Sequence, residues 1–293
     1  MRPRPSITRH ELRYRPPYDW PAMRSFLQRR AIPGIERVDD TSYARTVEID
    51  GMQGIVRVAP AGRGDALRVT VRAPGAASVA DLLVRLRRVL DTDTDPRPIA
   101  AHLRQDLRLA PLVAARPGLR LPGAWDGFEL AVRAILGQQI TVAAARALAG
   151  RLVAAHGAAM RDPAPGLTHV FPSPAAIAAV DPATLGLPRR RAATLVAMAT
   201  AVTRKPAWLE AGRPLDEVVR DLCGIPGIGA WTAHYIAMRQ MRDADAFPAA
   251  DVALLRSFGN LDGARPTPKE LQARAEAWRP WRAYAAQHLW TAA

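Results

Sequence analysis

The sequence predicts an α+β protein that is mostly helical, with a small antiparallel sheet near its N-terminus. Segments of alternating polarity occur only before residue 75, whereas apolar residues recur at helical spacing after residue 126. With 293 residues, 49% of them hydrophobic, the chain is long enough for about two or three packed units. In chain order, we expect a basic lead at 1–10, an α+β domain at 11–95, a connecting segment at 96–125 and a helical region at 126–293.

The α+β domain is expected to begin with a short strand at 12–15 and a helix at 20–30 that Asp19 N-caps. Further strands are predicted near 42–49, 52–59 and 66–72. Asp50 and Gly51 favour a hairpin turn between the first two of these, and Ser78 is expected to cap the helix that follows. The domain contains no polar cluster that indicates chemistry, so it is interpreted as a scaffold.

Beyond this domain, segment 96–125 is rich in Asp, Pro and Arg and is expected to connect the packed units. The rest of the chain is predicted to be helical to its end. Residues with capping side chains stand where the helical patterns begin. They are Asp126, Thr141, Ser173, Asp181 and Thr267, the last with Glu270 in a capping box.

Composition limits the classes of partner. Lys and Arg number 41 against 27 Asp and Glu, a formal net charge of +14, which favours a polyanionic partner; the alternative is a solvated Arg-rich surface. Cys223 is the only cysteine, which excludes an internal disulfide and a four-cysteine iron–sulfur cluster. No apolar run has the length of a membrane span and the N-terminus does not resemble a signal peptide, so a cytoplasmic protein is expected.

The most informative segment is a predicted helix-hairpin-helix at 216–241. Apolar residues recur at helical spacing up to Leu222, are interrupted by Pro226, Gly227 and Gly229, and resume from Trp231. Closely spaced glycines let backbone N–H groups face outward at the start of a helix, where the dipole favours anions. A DNA phosphate is a natural ligand for such a turn.

Five segments in order resemble one family, the helix-hairpin-helix base-excision DNA glycosylases, and within it the DNA-3-methyladenine glycosylase II (AlkA) type. They are Pro-Pro-Tyr-Asp-Trp at 16–20, Arg-Pro-Gly-Leu-Arg-Leu-Pro-Gly at 116–123, Ile-Leu-Gly-Gln at 135–138, the hairpin with the Asp251 that follows it, and Trp-Arg-Pro-Trp-Arg-Ala-Tyr at 278–284. The resemblance covers nearly the whole chain.

The resemblance implies an enzyme that flips alkylated bases, such as 3-methyladenine and 7-methylguanine, out of duplex DNA and hydrolyses the N-glycosidic bond. We expect a nucleoid-associated monomer, and the usage of Ala, Arg and Pro indicates a bacterial source. The N-terminal domain, which lacks a polar cluster, is expected to be a scaffold or an outer wall of the DNA-binding face. Relatives that also cut the strand carry a Schiff-base lysine where this chain has Trp231. Because an indole cannot act as an amine nucleophile, a monofunctional enzyme is expected.

By the resemblance, Asp251 is the catalytic carboxylate, which stabilises the positive sugar that forms as the base departs. The alternative is that Asp251 only caps the helix beginning at Val252, and both roles are compatible. The chain departs from the family pattern in having Ala250 where relatives can carry a second acid. Val252 stands at a pocket position where an aromatic residue can occur, which leaves the substrate range open.

Trp231, Tyr235 and Trp290 match aromatic residues that line the base pocket in the family. Alkylated purines carry positive charge, and an aromatic face attracts a cation. The alternative is that these side chains are core residues, as Trp278 and Trp281 are expected to be.

Gln138 and Gln139 match the turn that inserts a wedge into the gap left by a flipped base; the alternative is an ordinary turn between helices. Gly227 and Gly229 are expected to bind a phosphate. No cofactor is expected to be required, although the family often holds a monovalent cation at the hairpin. Its ligands here would be the main-chain carbonyls of Cys223, Ile225 and Ile228.

Two competing functions remain open. A non-catalytic helix-hairpin-helix DNA-binding protein would use the same hairpin but would be indifferent to loss of the Asp251 carboxylate. A bifunctional glycosylase/lyase would form a covalent complex that borohydride traps.

Overall fold

The computed structural model describes residues 6–49, 51–73, 79–210 and 212–292. The described residues form two compact units. The sheet-bearing unit comprises those of Met1–Tyr14, Arg24–Arg87 and Ala131–Trp208, and the helical unit comprises those of Arg15–Met23, Arg88–Leu130 and Leu209–Ala293.

The strands, in chain order, are β1 (Ser6–Arg13), β2 (Glu36–Val38), β3 (Tyr43–Ile49), β4 (Met52–Pro60), β5 (Ala66–Ala73), β6 (Ala159–Ala164) and β7 (Leu167–His169). The α-helices are α1 (Trp20–Arg30), α2 (Val79–Leu90), α3 (Pro96–Leu103), α4 (Ala110–Ala115), α5 (Gly127–Leu136), α6 (Val142–His156), α7 (Pro174–Ala178), α8 (Arg189–Arg204), α9 (Leu215–Cys223), α10 (Ala230–Gln240), α11 (Val252–Asp262), α12 (Pro268–Ala275) and α13 (Arg282–Ala292). The predicted class, α+β and mostly helical, is confirmed. Among the described residues, no helix combines the length and apolar character needed to cross a membrane.

The sheet-bearing unit is built on an antiparallel sheet with strand order β1-β5-β4-β3-β2. Val58 lies directly opposite Val69, and Val56 lies opposite Val71. These side chains are 0 to 3% exposed, so one face of the sheet packs in the core. The predicted strands near 42–49, 52–59 and 66–72 are confirmed as β3, β4 and β5. Asp50 and Ser78, predicted as a turn residue and a cap, lie outside the described residues, as do residues 1–5 of the predicted basic lead.

Three predictions about elements are wrong. The first strand is β1, which begins at Ser6 inside the predicted basic lead rather than at residue 12. Its side chains are largely polar and only Leu12 is buried, so the sequence shows no apolar alternation; pairing with β5 forms the strand. Segment 96–125, predicted only as a connection, contains α3 and α4, and the Asp95 side chain accepts the Arg97 N–H at the start of α3.

The third correction is a β-hairpin inside the region predicted to be helical to its end. Strands β6 and β7 pair antiparallel, and Gly166 between them has a φ of 76°. Met160 and Leu167 from this hairpin pack in one buried cluster with Ile55 of β4. A hairpin of two short strands is marginal alone, so burial against the sheet stabilises it.

Side-chain caps define the helix starts as predicted. Asp19 accepts the Ala22 N–H, Thr141 accepts the Ala144 N–H, and Ser173 accepts the Ala176 N–H. Asp126 accepts the Glu129 N–H, and Asp181 begins a 3₁₀ turn at Pro182–Leu185. The Thr267 and Glu270 capping box is present at α12. These caps are local interactions, which is why the sequence alone predicts them.

In the helical unit, a buried carboxylate joins segments that are distant in sequence. Asp91, 2% exposed, accepts hydrogen bonds from the Leu121 N–H at 3.0 Å and the Tyr284 hydroxyl at 2.9 Å. It also forms an ion pair with Arg242. Burial raises the pKa of Tyr284, and the Asp91 carboxylate adds to that rise, so the hydroxyl remains a donor.

Candidate active site

The hairpin of the helical unit lies between α9 and α10. Gly227 has a φ of 90°, a conformation that favours glycine, and the Ile228 N–H donates to the Ile225 carbonyl at 3.0 Å. Ile225 and Ile228 are buried and fix the turn, whereas Gly227 and Gly229 are exposed. Gly229 precedes α10, and no atom lies within 4 Å of the position that a Cβ would take there. The turn therefore exposes backbone at a helix N-terminus.

Asp251 lies at the start of α11 and is only partly buried. Its Oδ1 accepts the backbone N–H groups of Ala253 and Leu254, both at 3.0 Å. The predicted capping role is therefore present. The cap fixes the carboxylate against the helix and sets its direction.

The same carboxylate is held by two tryptophans. The Trp290 Nε1 donates to Asp251 Oδ1 at 2.9 Å, and the Trp231 Nε1 donates to Oδ2 at 2.7 Å. Trp231 lies in the first turn of α10, and Trp290 lies in the last turn of α13. Each carboxylate oxygen therefore receives an indole N–H from a different helix.

Tyr235 completes the aromatic group. Its ring stacks on Trp231 with the centroids 5.4 Å apart and the planes 11° apart. The centroids of the Tyr235 and Trp290 rings lie 6.3 Å apart, and their planes meet at 69° in an edge-to-face contact. All three rings are partly buried, so they are neither core residues nor free surface residues. The structure thus brings together Asp251 and the three predicted pocket aromatics.

Trp278 and Trp281 differ from that group. Trp278 is 1% exposed, lies among Phe247 and Phe258, and donates its indole N–H to Asp106 at 2.8 Å. Trp281 meets the edge of Tyr284. Both pack as predicted.

The residues that flank Asp251 are open to solvent. Ala250 is exposed, and the Val252 side chain has 65% of its surface exposed. The departures from the family pattern at these two positions therefore lie next to the Asp251 carboxylate, on exposed residues.

The sequence analysis missed Arg239. This residue is 1% exposed, and its guanidinium lies 5.4 Å from the Tyr235 ring centroid and 5.3 Å from that of Trp290. It donates to the Pro122 carbonyl at 2.8 Å and to Gln287 Oε1 at 2.9 Å. A signal that could have identified Arg239 is its place in the sequence. It is a basic residue one helical turn after an aromatic residue and directly after the apolar residues 236–238.

His234, on the same helix, has a pKa that burial lowers, and the Arg282 guanidinium lowers it further. Its imidazole is therefore neutral at pH 7.

Gln138 and Gln139 belong to the sheet-bearing unit, in the turn between α5 and α6. Gln139 is exposed and has a φ of 59°, a left-handed conformation that is uncommon for residues other than glycine. The Gln138 carbonyl accepts a hydrogen bond from Arg191 at 2.6 Å. The hydrogen bond from Arg191 therefore fixes the turn, and Gln139 lies exposed in it. Its role as a wedge stays a prediction.

The cation predicted at the hairpin also stays a prediction. Of the carbonyls of Cys223, Ile225 and Ile228, that of Ile225 accepts the Ile228 N–H. A carbonyl oxygen has a second lone pair, so this bond is compatible with cation binding. Among the described residues, no group of three or more His, Cys, Asp or Glu side chains could hold a metal ion.

Comparisons with known proteins identify the family of the chain. A family model described as AlkA N-terminal domain matches residues 9–126, and one described as HhH-GPD superfamily base excision DNA repair protein matches residues 132–283. DNA-3-methyladenine glycosylase 2 of Escherichia coli is 34% identical over 96% of this chain and 96% of its own length.

A Mycobacterium tuberculosis protein named probable bifunctional transcriptional activator/DNA repair enzyme AlkA is 39% identical over 94% of this chain. The match covers 55% of that relative, so the chain spans about half its length. The structure of a 3-methyladenine DNA-glycosylase from Archaeoglobus fulgidus superimposes with a TM-score of 0.82 over 97% of both chains at 22% identity, which shows a shared fold. The chain belongs to the HhH-GPD superfamily of base excision DNA repair proteins.

Proposed function

We propose that this protein is a monofunctional DNA glycosylase that removes alkylated bases, such as 3-methyladenine and 7-methylguanine, from duplex DNA and leaves an abasic site. The observation that carries the proposal is the arrangement around Asp251. A partly exposed carboxylate is fixed by two indole N–H groups whose rings form an aromatic surface with Tyr235. A phosphate-binding protein needs neither feature.

The chemistry follows from that arrangement. Departure of a base leaves a sugar with oxocarbenium character, and a negative carboxylate beside it stabilises the positive charge. Because Asp251 is already oriented by its cap and the indoles, little reorganisation accompanies the reaction. The carboxylate also orients the water that attacks the sugar. The base leaves with the electron pair of the N-glycosidic bond.

The aromatic surface selects the base. N-alkylated purines carry positive charge and weakened glycosidic bonds, so they need an attractive surface more than they need an acid. Trp231 and Trp290, which hydrogen-bond to Asp251, provide such a surface together with Tyr235, whose ring contacts both of them.

Flipping the base requires contact with the DNA backbone. The exposed Gly227 and Gly229 are suited to bind a phosphate, and the net charge of +14 favours a polyanion. Gln139 would fill the gap and hydrogen-bond the orphaned partner base. DNA affinity should therefore fall steeply between about 50 and 200 mM salt, and a flat response would contradict this DNA-binding surface. The protein would act as a monomer and require no cofactor, with a monovalent cation at the hairpin in a structural role.

The test uses duplex DNA treated with a methylating agent, and it measures free 3-methyladenine and 7-methylguanine released by the wild-type protein and by Asp251→Asn. We expect release by the wild type and a rate about 100 to 1,000-fold lower in the variant, because the amide carries no charge. Asp181→Asn is the matched control, since Asp181 also begins a helical turn but contacts no indole. Equal DNA binding by all three proteins with no base release by any would instead identify a non-catalytic DNA-binding protein.

A second experiment tests the absence of lyase activity. Borohydride is added while the enzyme acts on damaged DNA, and covalent protein–DNA complexes are sought on a denaturing gel. Because Trp231 stands at the position of the Schiff-base lysine, none is expected. A trapped complex would identify a bifunctional enzyme.

A further inference from the structure

The net charge of the chain is distributed unevenly between its two units. Counted over its ranges of the sequence, the helical unit has 17 Lys and Arg and 17 Asp and Glu, so its formal net charge is zero. The sheet-bearing unit has 24 Lys and Arg against 10 Asp and Glu and accounts for the whole excess of +14. The unit that contains Asp251 and the hairpin therefore does not supply the charge that favours a polyanion.

The excess is greatest in the last range of the sheet-bearing unit, Ala131–Trp208. This range has nine Lys and Arg but only two acidic residues, Asp162 and Asp181. Helices α6 and α8 lie within it and together contain six arginines and no acidic residue. Three of the arginines are consecutive and begin α8 at residues 189–191. The positive charge is therefore concentrated on two neighbouring helices in the sequence.

The first two arginines of α8 also differ from those of the helical unit in their pairing. Arg189 and Arg190 are exposed, and within the part of the chain that the structure describes neither forms an ion pair. Several arginines of the helical unit pair with acidic residues of that unit: Arg116 with Asp19, Arg213 with Asp221, and Arg242 with Asp91. Because no carboxylate neutralises Arg189 and Arg190, their charges are available to an anionic partner.

The start of α8 is held against the turn that precedes α6. Arg191 donates to the Gln138 carbonyl at 2.6 Å, and Gln139 follows as an exposed residue of the same turn. Arg189 and Arg190 thus directly precede the residue that is fixed to this turn. The proposed function places the turn in contact with DNA, so the two exposed arginines are close to a segment that would meet the duplex.

We infer that Arg189 and Arg190 form a general DNA-binding surface on the sheet-bearing unit, which binds phosphates of duplex DNA whether or not a damaged base is present. The inference rests on the proposed function, which supplies duplex DNA as the partner. A guanidinium fits a phosphate because it can donate two parallel hydrogen bonds to it. Each such contact releases counterions from the DNA, so this affinity depends on salt. The helical unit, whose net charge is zero, then adds the affinity for the damaged site.

The experiment measures the dissociation constants of an undamaged duplex and of the same duplex with a tetrahydrofuran abasic analogue, over a series of salt concentrations. The double variant Arg189→Gln/Arg190→Gln should bind both duplexes roughly 10 to 100-fold more weakly at about 0.1 M salt. The slope of log affinity against log salt concentration should become shallower by about two. The loss should be equal for both duplexes, because phosphates and not the damaged site are contacted. Arg189→Lys/Arg190→Lys keeps both charges and should retain most of the affinity.

Two single variants are the matched controls for the single variant Arg189→Gln, whose slope should become shallower by about one. Arg204→Gln removes an exposed arginine from the last turn of the same helix, and Lys269→Gln removes an exposed lysine from the helical unit. Each control lowers the net charge by one and should leave the affinity and the slope unchanged. Chemical denaturation should show that the double variant is at least as stable as the wild type, because cations at a helix N-terminus oppose the helix dipole.

Wild-type affinity and slope in the double variant would overturn the inference. Losses in the two controls equal to that of Arg189→Gln would also overturn it, since affinity would then depend on net charge alone. If the double variant lost binding to anionic phosphatidylglycerol vesicles but not to DNA, the surface would belong to a membrane and the inference would be wrong. A wild type that releases no damaged base would contradict the proposed enzyme, whereas loss of DNA affinity in the double variant would still support this surface.

Discussion

Two carboxylates of the helical unit, Asp91 and Asp251, accept four hydrogen bonds each and differ in what donates them. Asp91 is 2% exposed and is paired with the Arg242 guanidinium, which cancels its charge. Asp251 is partly exposed, and the hydrogen bonds it accepts come from two backbone amides and two indoles, all of them neutral groups.

The difference separates a structural carboxylate, Asp91, from the one that we propose to be reactive, Asp251. The buried Asp91 carboxylate joins chain segments, but its charge is neutralised by Arg242 and so does not attract a substrate. A carboxylate held by neutral N–H groups is just as well oriented, and its negative charge remains available to a positive centre. The fold therefore fixes both groups, and of these two carboxylates the proposed function assigns the action on a ligand to Asp251.

The largest expected effect is on stability, at Asp91. Asp91→Asn should lower the free energy of unfolding by about 3 to 5 kcal/mol, because Arg242 is left buried without its charge partner. Asp251→Asn should cost less, about 1 to 2 kcal/mol, since asparagine is an equally good N-cap but its amide nitrogen cannot accept the Trp231 N–H. Chemical denaturation of both variants measures the difference. Equal losses would show that Asp251 is also a structural carboxylate.

Acid should destabilise the helix that carries Trp290. Burial lowers the pKa of His288 from 6.5 to about 4, with Arg116 adding to the shift and Asp19 opposing it. The unfolded chain binds a proton at His288 more readily than the folded one. The contribution of His288 to the free energy of unfolding is therefore fully present above pH 6.5. It falls by up to about 3 kcal/mol as the pH falls toward 4.

The measurement is denaturation at a series of pH values between 4 and 7 for the wild type and for His288→Gln. The variant should lose most of this pH dependence in that window. Asp39, whose pKa is lowered to about 2 by hydrogen bonds from Thr41 and Ser42 that outweigh its burial, loses its contribution only below pH 4. An identical slope in both proteins would mean that His288 is not the titrating group.

A smaller effect is expected from the indole donors. Trp231→Phe and Trp290→Phe keep an aromatic ring but remove one N–H each, so the rate of base release should fall about tenfold in either variant. The loss should be in kcat rather than in KM, because the orientation of the Asp251 carboxylate matters most in the transition state.

Trp278→Phe is the matched control, since it removes an indole N–H that donates to Asp106 in the core. It should cost stability and leave base release by the folded protein unchanged. If all three variants lose the same activity, the indole bonds to Asp251 have no particular role.

The smallest expected effects are at the two hairpin glycines. Gly227→Ala should lower stability by about 1 to 2 kcal/mol, because its φ of 90° strains any residue with a Cβ. Gly229→Ala has a φ of −97° and open space around its Cβ, so the fold should tolerate it. The added methyl group would hinder a phosphate, and DNA affinity should fall several-fold without loss of stability. Unchanged affinity would show that the phosphate does not approach Gly229.

The sequence predicts those features that depend on neighbouring residues. The caps at Asp19, Thr141 and Thr267 are local, and so is the capping role of Asp251. Resemblance to a family predicted Asp251 and the aromatics as a group, because their residue types and order match the family pattern.

Features formed by distant segments could not be predicted in this way. The Trp290 hydrogen bond to Asp251 spans 39 positions, and the partners of Arg239 at Pro122 and Gln287 are more than 40 positions away from it. The start of strand β1 was placed too late for the same reason, since its pairing partner β5 is about 60 positions later. Periodicity reports which side of a segment is buried, but not which other segment buries it.

The measurement that tests the role of the Asp251 charge most directly compares two abasic analogues in otherwise identical duplexes. One carries a pyrrolidine, which is positively charged and mimics the oxocarbenium sugar, and the other carries a neutral tetrahydrofuran. The wild type should bind the cationic analogue at least about 100-fold more tightly, and Asp251→Asn should lose that preference while still binding the neutral duplex. If Asp251→Asn kept the full preference, the charge of Asp251 would not be what stabilises the positive sugar, and the account of this site would be wrong.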